Sequence, residues 1–229
     1  MVRRPKSNVK ELAILSSLAG LLYCSWPLGY ILNPSSSHSL ASNLQGSGQP
    51  YNWLFIALDI LCGLVIIYVA FALYAMINFQ KWLSLKIITI ISYGTFGLLT
   101  VIDALLPVDC AADQNGCGKL VNHPLVIIHG IFSIGSIGAL AISVLGGWLI
   151  VRSSKQWSRW LKPYTTFVVG SYFFFGVVTC LLIFTGQSSA LSQHVFIVIC
   201  SFWIATMPLI VLSGSEKNRY QKVRVAKSR

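Results

Sequence analysis

Asp59, Asp103 and His129 stand out because each interrupts a long apolar run. An ionisable side chain in such a run is expensive and needs a partner, a proton or water. Around His129 the spacing is helical: His129, Ser133 and Ser136 follow i, i+4, i+7 and share one face. Asp103 lies in register with Thr100, Phe96, Ser92 and Thr89 at i−3, i−7, i−11 and i−14. His123 and His194 stand where later apolar runs begin, and His38 sits in a Ser-rich segment. Aspartate and histidine together could hold zinc with an open position, and Ser133 with His129 could be read as a nucleophile and its base. Both signals are short. There is no H-E-x-x-H, no H-x-x-x-H and no G-x-S-x-G; His123 and His129, at i and i+6, point to different faces, and His123 precedes Pro124. No phosphate loop, dinucleotide fingerprint or haem motif is present, so the sequence names neither a cofactor nor a metal.

The elements that must position these groups follow from composition. Of 229 residues, 55% are apolar and only 10% are charged, with a net charge of +11. A soluble domain carries about a quarter of its residues as charges, so a soluble globular reading is excluded. The basic residues sit in short segments between apolar runs rather than among exposed aromatics, which excludes nucleic acid as a partner. Six stretches reach the ~20 residues needed to cross hydrocarbon: 12–32, 53–77, 87–107, 125–151, 164–185 and 195–214. Each must be helical, because open backbone in lipid would leave its polar groups unpaired. Continuous runs such as Leu64-Val65-Ile66-Ile67 argue against a barrel. The expected fold is all-α, one domain over 1–229 built as a six-helix membrane bundle.

Sixteen of the seventeen Lys and Arg residues fall on one side of that topology, with Lys119 alone opposite. This places both termini in the cytoplasm. The first apolar run is longer than a signal-peptide core, is framed by Pro27 and Pro34 and lacks an A-x-A site, so it is expected to be retained. Segment 33–52 has no charged side chain and reads as a turn-rich, mobile outer cap. The connection Arg152 to Pro163 interleaves bases with Trp157 and Trp160, which suits the surface of an anionic inner leaflet. Five glycines between Gly130 and Gly147 make the fourth span the expected site of closest packing. Cys24, Cys62, Cys180 and Cys200 read as small apolar residues. Cys110 and Cys117 share an outer loop and are expected to form a disulfide.

With this topology all four histidines and four of the six acidic residues occupy the outward half. Asp59 and Asp103 lie at similar depth on antiparallel neighbours. No Lys or Arg is at hand to pair with them, so a shared site with His129 is expected, reached through close approach at Gly130. Such residues also hold bundles together by cross-helix hydrogen bonds alone, and that alternative stands beside a metal or catalytic site and a ligand or ion pathway.

Three landmarks then carry a resemblance. Ser39-Leu40 runs into Trp53-Leu54-Phe55 and Gly63; Leu106-Pro107-Val108-Asp109 is followed by His123; and Gly186 with Gln193-His194 leads to Trp203. Together they resemble the prokaryotic six-helix membrane family called domain of unknown function nine-nine-eight. The resemblance implies a plasma-membrane protein of a prokaryote and no established activity. An Arg is common in that family where His194 stands here. A looser similarity runs to the seven-helix membrane hydrolases that include the alkaline ceramidases, which use His, Asp and Ser around zinc. It would give those roles to Asp103, His123 and His129. This chain has one helix fewer and lacks that group's paired late His, so catalysis is not carried over.

The expected function is therefore that of a multi-pass plasma-membrane protein with an outward-facing polar pocket and a binding, transport-accessory or structural role. Its candidate residues are Asp59, Asp103, His129, Ser133, His123 and His194. The alternative is a metal-assisted hydrolase acting on a lipid or lipid-linked substrate at the outer leaflet. The lipid bilayer is the one partner the sequence requires; a lipid or small-molecule ligand, a second copy or another membrane protein remain open.

Overall fold

The computed structural model describes residues 9–34, 40–77, 83–106, 124–153, 160–185 and 189–227. They form seven helices: α1 (Val9–Tyr23), α2 (Trp26–Leu32), α3 (Asn52–Met76), α4 (Leu83–Leu105), α5 (Pro124–Arg152), α6 (Leu161–Phe184) and α7 (Ala190–Lys227). A 3-10 turn, Ala41–Gln45, lies between α2 and α3. There is no strand among the described residues. Five helices are each long and apolar enough to cross a bilayer. The pair α1 and α2 passes that test together as one span broken by a 45° bend. The protein is all-α, with six spans when the bent pair counts as one.

The first span is thus not the continuous helix expected over 12–32. Pro27 stands in the first turn of α2. Proline has no N–H to give to the preceding turn and its ring crowds that turn's carbonyl, so the chain restarts rather than running through. At the other terminus, the last helix continues past the expected end at 214, to Lys227.

Cross-helix contacts fix the neighbours and their directions. Gly63 of α3 meets Gly97 of α4, and Gly146 of α5 meets Thr89 of α4. Gly20 of α1 meets Ser201 of α7, and Thr179 of α6 bonds Ser192 of α7 at 3.1 Å. Each pair is antiparallel. The helices form a ring in the order α1, α3, α4, α5, α6, α7, with α5 also touching α7 across it. Large apolar and aromatic side chains such as Phe96, Tyr93 and Trp203 form the interior, with small polar ones, among them Ser16, Thr89, Ser143 and Thr165, set between them, while Phe71, Ile134, Phe167 and Leu191 are largely exposed. An apolar exterior of this kind is what a lipid-facing surface requires.

The fourth span packs closely as its glycines lead one to expect, but only at its later glycines, Gly146 and Gly147. A Cβ at Gly130 or Gly138 would meet nothing within 4 Å, and at Gly135 it would make only an ordinary contact. Backbones instead touch at Gly63 and Gly97, where an added Cβ would lie 2.5 and 2.8 Å from the opposite carbonyl oxygen. Only Gly146 and Gly147 of α5 are tightly packed, the latter under the Trp203 ring. Counting glycines on one helix says nothing about which of them a neighbour reaches.

α7 carries Pro208 inside the bundle. Proline at that position cannot bond the carbonyl of Ile204, four residues earlier. Two hydroxyls from other helices converge on it: Ser16 Oγ of α1 at 2.5 Å and Tyr93 OH of α4 at 3.1 Å. These two hydroxyls are themselves 2.8 Å apart. Nearby, the fully buried Trp203 donates its indole N–H to Ser143 Oγ at 3.2 Å.

Candidate functional site

The polar residues gather at the end of the bundle that carries the 3-10 turn. Asp103, near the end of α4, is the centre of one group. Its Oδ2 accepts from Ser133 Oγ of α5 at 2.8 Å, and its Oδ1 lies 3.1 Å from His129 Nδ1. That approach is an ion-pair distance without a directed hydrogen bond, and both atoms are enclosed with no other hydrogen-bond partner. Helical spacing explains the convergence: His129 and Ser133, one turn apart on α5, flank the same carboxylate. Ser136, one turn further, turns its hydroxyl back to the Ser133 carbonyl at 2.8 Å. Below Asp103 the same face of α4 is buried through Thr100, Phe96, Ser92 and Thr89.

Asp59 of α3 forms a second group. Its Oδ2 accepts from Gln45 Nε2 at 2.5 Å, and it lies within the electrostatic reach of Asp103. Gln45 ends the 3-10 turn, so a residue of the segment between α2 and α3 supplies the partner. Around it the segment is seated rather than loose. Leu44 is buried against Gly29 of α2, where a Cβ would clash with its methyls. Ala41 N donates to Gln193 Oε1 of α7 at 2.6 Å, and Asn33 Nδ2 donates to Gln49 Oε1 at 2.9 Å. The cap is turn-rich, as its composition requires, yet it spans from α7 to α3. It enters α3 through Tyr51, whose left-handed backbone (φ 60°, ψ 22°) is costly for a non-glycine residue.

His194 belongs to a third group. Its ring stacks on Trp26 at 4.2 Å and 14°, and its Nδ1 meets Tyr30 OH at 2.9 Å. Both partners are on α2, so His194 ties the second half of the broken span to the start of α7. It does not bond to Asp59, Asp103, His129 or Ser133, and its link to them runs through Gln193 and the cap. His123 and the pair Cys110 and Cys117 lie outside the described residues, as does His38. Among the described residues four cysteines are free: Cys62 and Cys200 are buried, Cys24 is partly buried and Cys180 faces outward.

Chemically, the arrangement is a carboxylate between a hydroxyl and an imidazole. A nucleophilic triad places the imidazole in the middle, to take the proton from the hydroxyl. Here Ser133 donates its O–H to Asp103 rather than to His129. No three His, Cys, Asp or Glu side chains converge as a metal would need, among the described residues. Sequence reasoning missed Gln45, Gln193, Tyr30 and Trp26. Uncharged polar and aromatic residues in loops are too common to single out, and only the folded cap brings them to the site.

The family described as Protein of unknown function (DUF998) matches residues 17–209. The chain belongs to that family. Its match runs from α1 well into α7, so it includes every residue of the three polar groups. No curated protein and no solved structure matches the chain. Membership therefore brings a membrane-protein family without an assigned activity, and the geometry has to carry the functional reading.

Proposed function

We propose that this DUF998 protein is a single-domain, multi-pass protein of a prokaryotic plasma membrane, with both termini in the cytoplasm. It binds a small polar ligand or lipid headgroup at an outward-facing site and does not transform it. The observation that carries this reading is Asp103 held between Ser133 and His129, with Asp59 nearby under a cap that supplies Gln45. Charged groups in a membrane are retained for packing or for function, and a packing role needs neither two carboxylates in reach of each other nor a folded cap above them. The site has acceptors and an imidazole but no lysine or arginine among the described residues around it, which suits a ligand rich in donors or positive charge. The metal-assisted hydrolase alternative has less support, because no three His, Cys, Asp or Glu side chains converge among the described residues.

The test is thermal unfolding of the purified protein in lipid nanodiscs, wild type beside Asp103→Asn, against small cations, sugars and headgroup alcohols. A solute that raises Tm for the wild type and leaves Asp103→Asn unmoved is expected, because only a ligand of the folded site stabilises it. One tightly bound zinc per chain, with lipid hydrolysis abolished in His129→Ala, would overturn the reading in favour of hydrolysis.

A further inference from the structure

At the opposite end of the bundle, where α5 stops and α6 begins, one arginine is held in place without a counter-ion. Arg152 is the last residue of α5 and is exposed. Its guanidinium carbon lies 5.5 Å over the centre of the Trp148 ring, one turn earlier. Its Nη2 donates to Thr166 Oγ1 of α6 at 3.3 Å, and the same oxygen accepts from Trp148 Nε1 at 3.2 Å. Thr166 completes the arrangement by donating to the carbonyl of Lys162 at 2.8 Å. Two side chains, one from each helix, thus fix one guanidinium. No carboxylate pairs with Arg152 among the described residues, and the chain from Arg152 to Lys162 contains four bases and no acid.

The geometry points to a binding site for an anionic phospholipid, its phosphate on Arg152 and its tail along the exposed apolar residues of α5 and α6. A guanidinium has five N–H donors in a planar fork suited to phosphate oxygens, and Thr166 and Trp148 leave most of them unused. Stacking on Trp148 fixes the fork's plane before the ligand arrives, which lowers the ordering cost of binding. An ordinary interfacial arginine is free to follow the headgroups; this one is braced.

The surface that continues from this end along α5 and α6 is apolar and open. One turn beyond Thr166 on the same face of α6 comes Gly170, where an added Cβ would meet nothing within 4 Å. Phe174, a further turn along, and Leu145, one turn back from Trp148 on α5, are both exposed. Trp160, just before α6, is 80% exposed beside the charged end, as suits an indole at the headgroup level. A free phosphate would use the arginine and leave this apolar strip without a role, so a lipid is the occupant that accounts for both.

The experiment is native mass spectrometry of the full chain released from nanodiscs containing equal phosphatidylglycerol and phosphatidylcholine, with the retained lipid counted. Wild type should keep one phosphatidylglycerol in preference to phosphatidylcholine. Arg152→Gln should lower that apparent affinity about tenfold, and Arg152→Lys about threefold, since lysine keeps the charge but loses the fork. Thr166→Val should weaken it in the same direction, with an unchanged melting curve confirming the fold. Lys155→Gln removes the same charge three residues further along the chain and should change retention less than about twofold. Equal losses in Arg152→Gln and Lys155→Gln would overturn the proposal, since general basicity would then explain retention. Full displacement of the lipid by millimolar inorganic phosphate would overturn it in favour of a free-anion site.

Discussion

At the residue scale, a buried polar group needs a partner, and the partner often comes from another helix. Pro208 leaves the Ile204 carbonyl without its helical donor, and Ser16 and Tyr93 supply hydroxyls in its place. Either hydroxyl alone can satisfy one carbonyl, so Ser16→Ala and Tyr93→Phe should each be mild. Together they should cost about 1–3 kcal/mol, the usual penalty for a buried acceptor left unpaired. Adding Pro208→Ala returns an N–H to Ile204 and should recover part of that loss, measured by reversible unfolding in detergent. A triple variant less stable than the double would contradict this account of the node. The two carboxylates invite a parallel measurement. Asp59→Asn and Asp103→Asn should couple by about 0.5–3 kcal/mol in a double-mutant cycle if they belong to one network. Strict additivity would separate them into a cap latch and an α5 anchor.

At the element scale, helix packing is decided by the few positions where backbones meet. Gly63→Ala and Gly97→Ala each push a methyl into the opposite carbonyl, so α3 and α4 must part. Overpacking of this kind typically costs about 1–3 kcal/mol. Gly130→Ala meets nothing and should be neutral or gain up to about 1 kcal/mol from helix propensity. Unfolding midpoints of the three variants check this contrast, which no count of glycines per helix could supply. The cap behaves as an element too. Gln45→Ala removes its bond to Asp59 while leaving Leu44 against Gly29 and Ala41 on Gln193. Hydrogen exchange across 41–46 should therefore rise in Gln45→Ala without becoming that of an unfolded loop. Exchange unchanged from wild type would show that Gln45 does not latch the cap.

At the scale of the whole molecule, the bundle has two chemically different ends. One is basic; the other holds the carboxylates, the imidazoles and the cap. Positive charge is retained on the cytoplasmic side during insertion, so the cap should face outward. A single cysteine replacing Ser47 should react with an impermeant maleimide in intact cells, and one replacing Ser158 should react only after the membrane is opened. The reverse pattern would place the acidic site on the cytoplasmic side. The same preparation, digested without reduction, tests whether Cys110 and Cys117 are linked.

The sequence by itself determined the class of protein. Apolar runs of bilayer length and a shortage of charge leave only membrane helices, since backbone polar groups in lipid must bond within their own segment. It also placed His129 and Ser133 on one helix face and Asp103 at a similar depth, because helical spacing and depth are local properties that a reader can count. What it could not reveal is which face of each helix meets which neighbour. In lipid, both faces of a span are apolar, so hydrophobic periodicity no longer marks the interior. Tertiary structure alone decided that Gly63 rather than Gly130 is a close contact and that His194 stacks on Trp26. It also decided that Gln45 comes down from the outer segment onto Asp59. Each of these depends on packing between segments far apart in the chain, where van der Waals fit and hydrogen-bond satisfaction choose among arrangements that the residue pattern leaves equal.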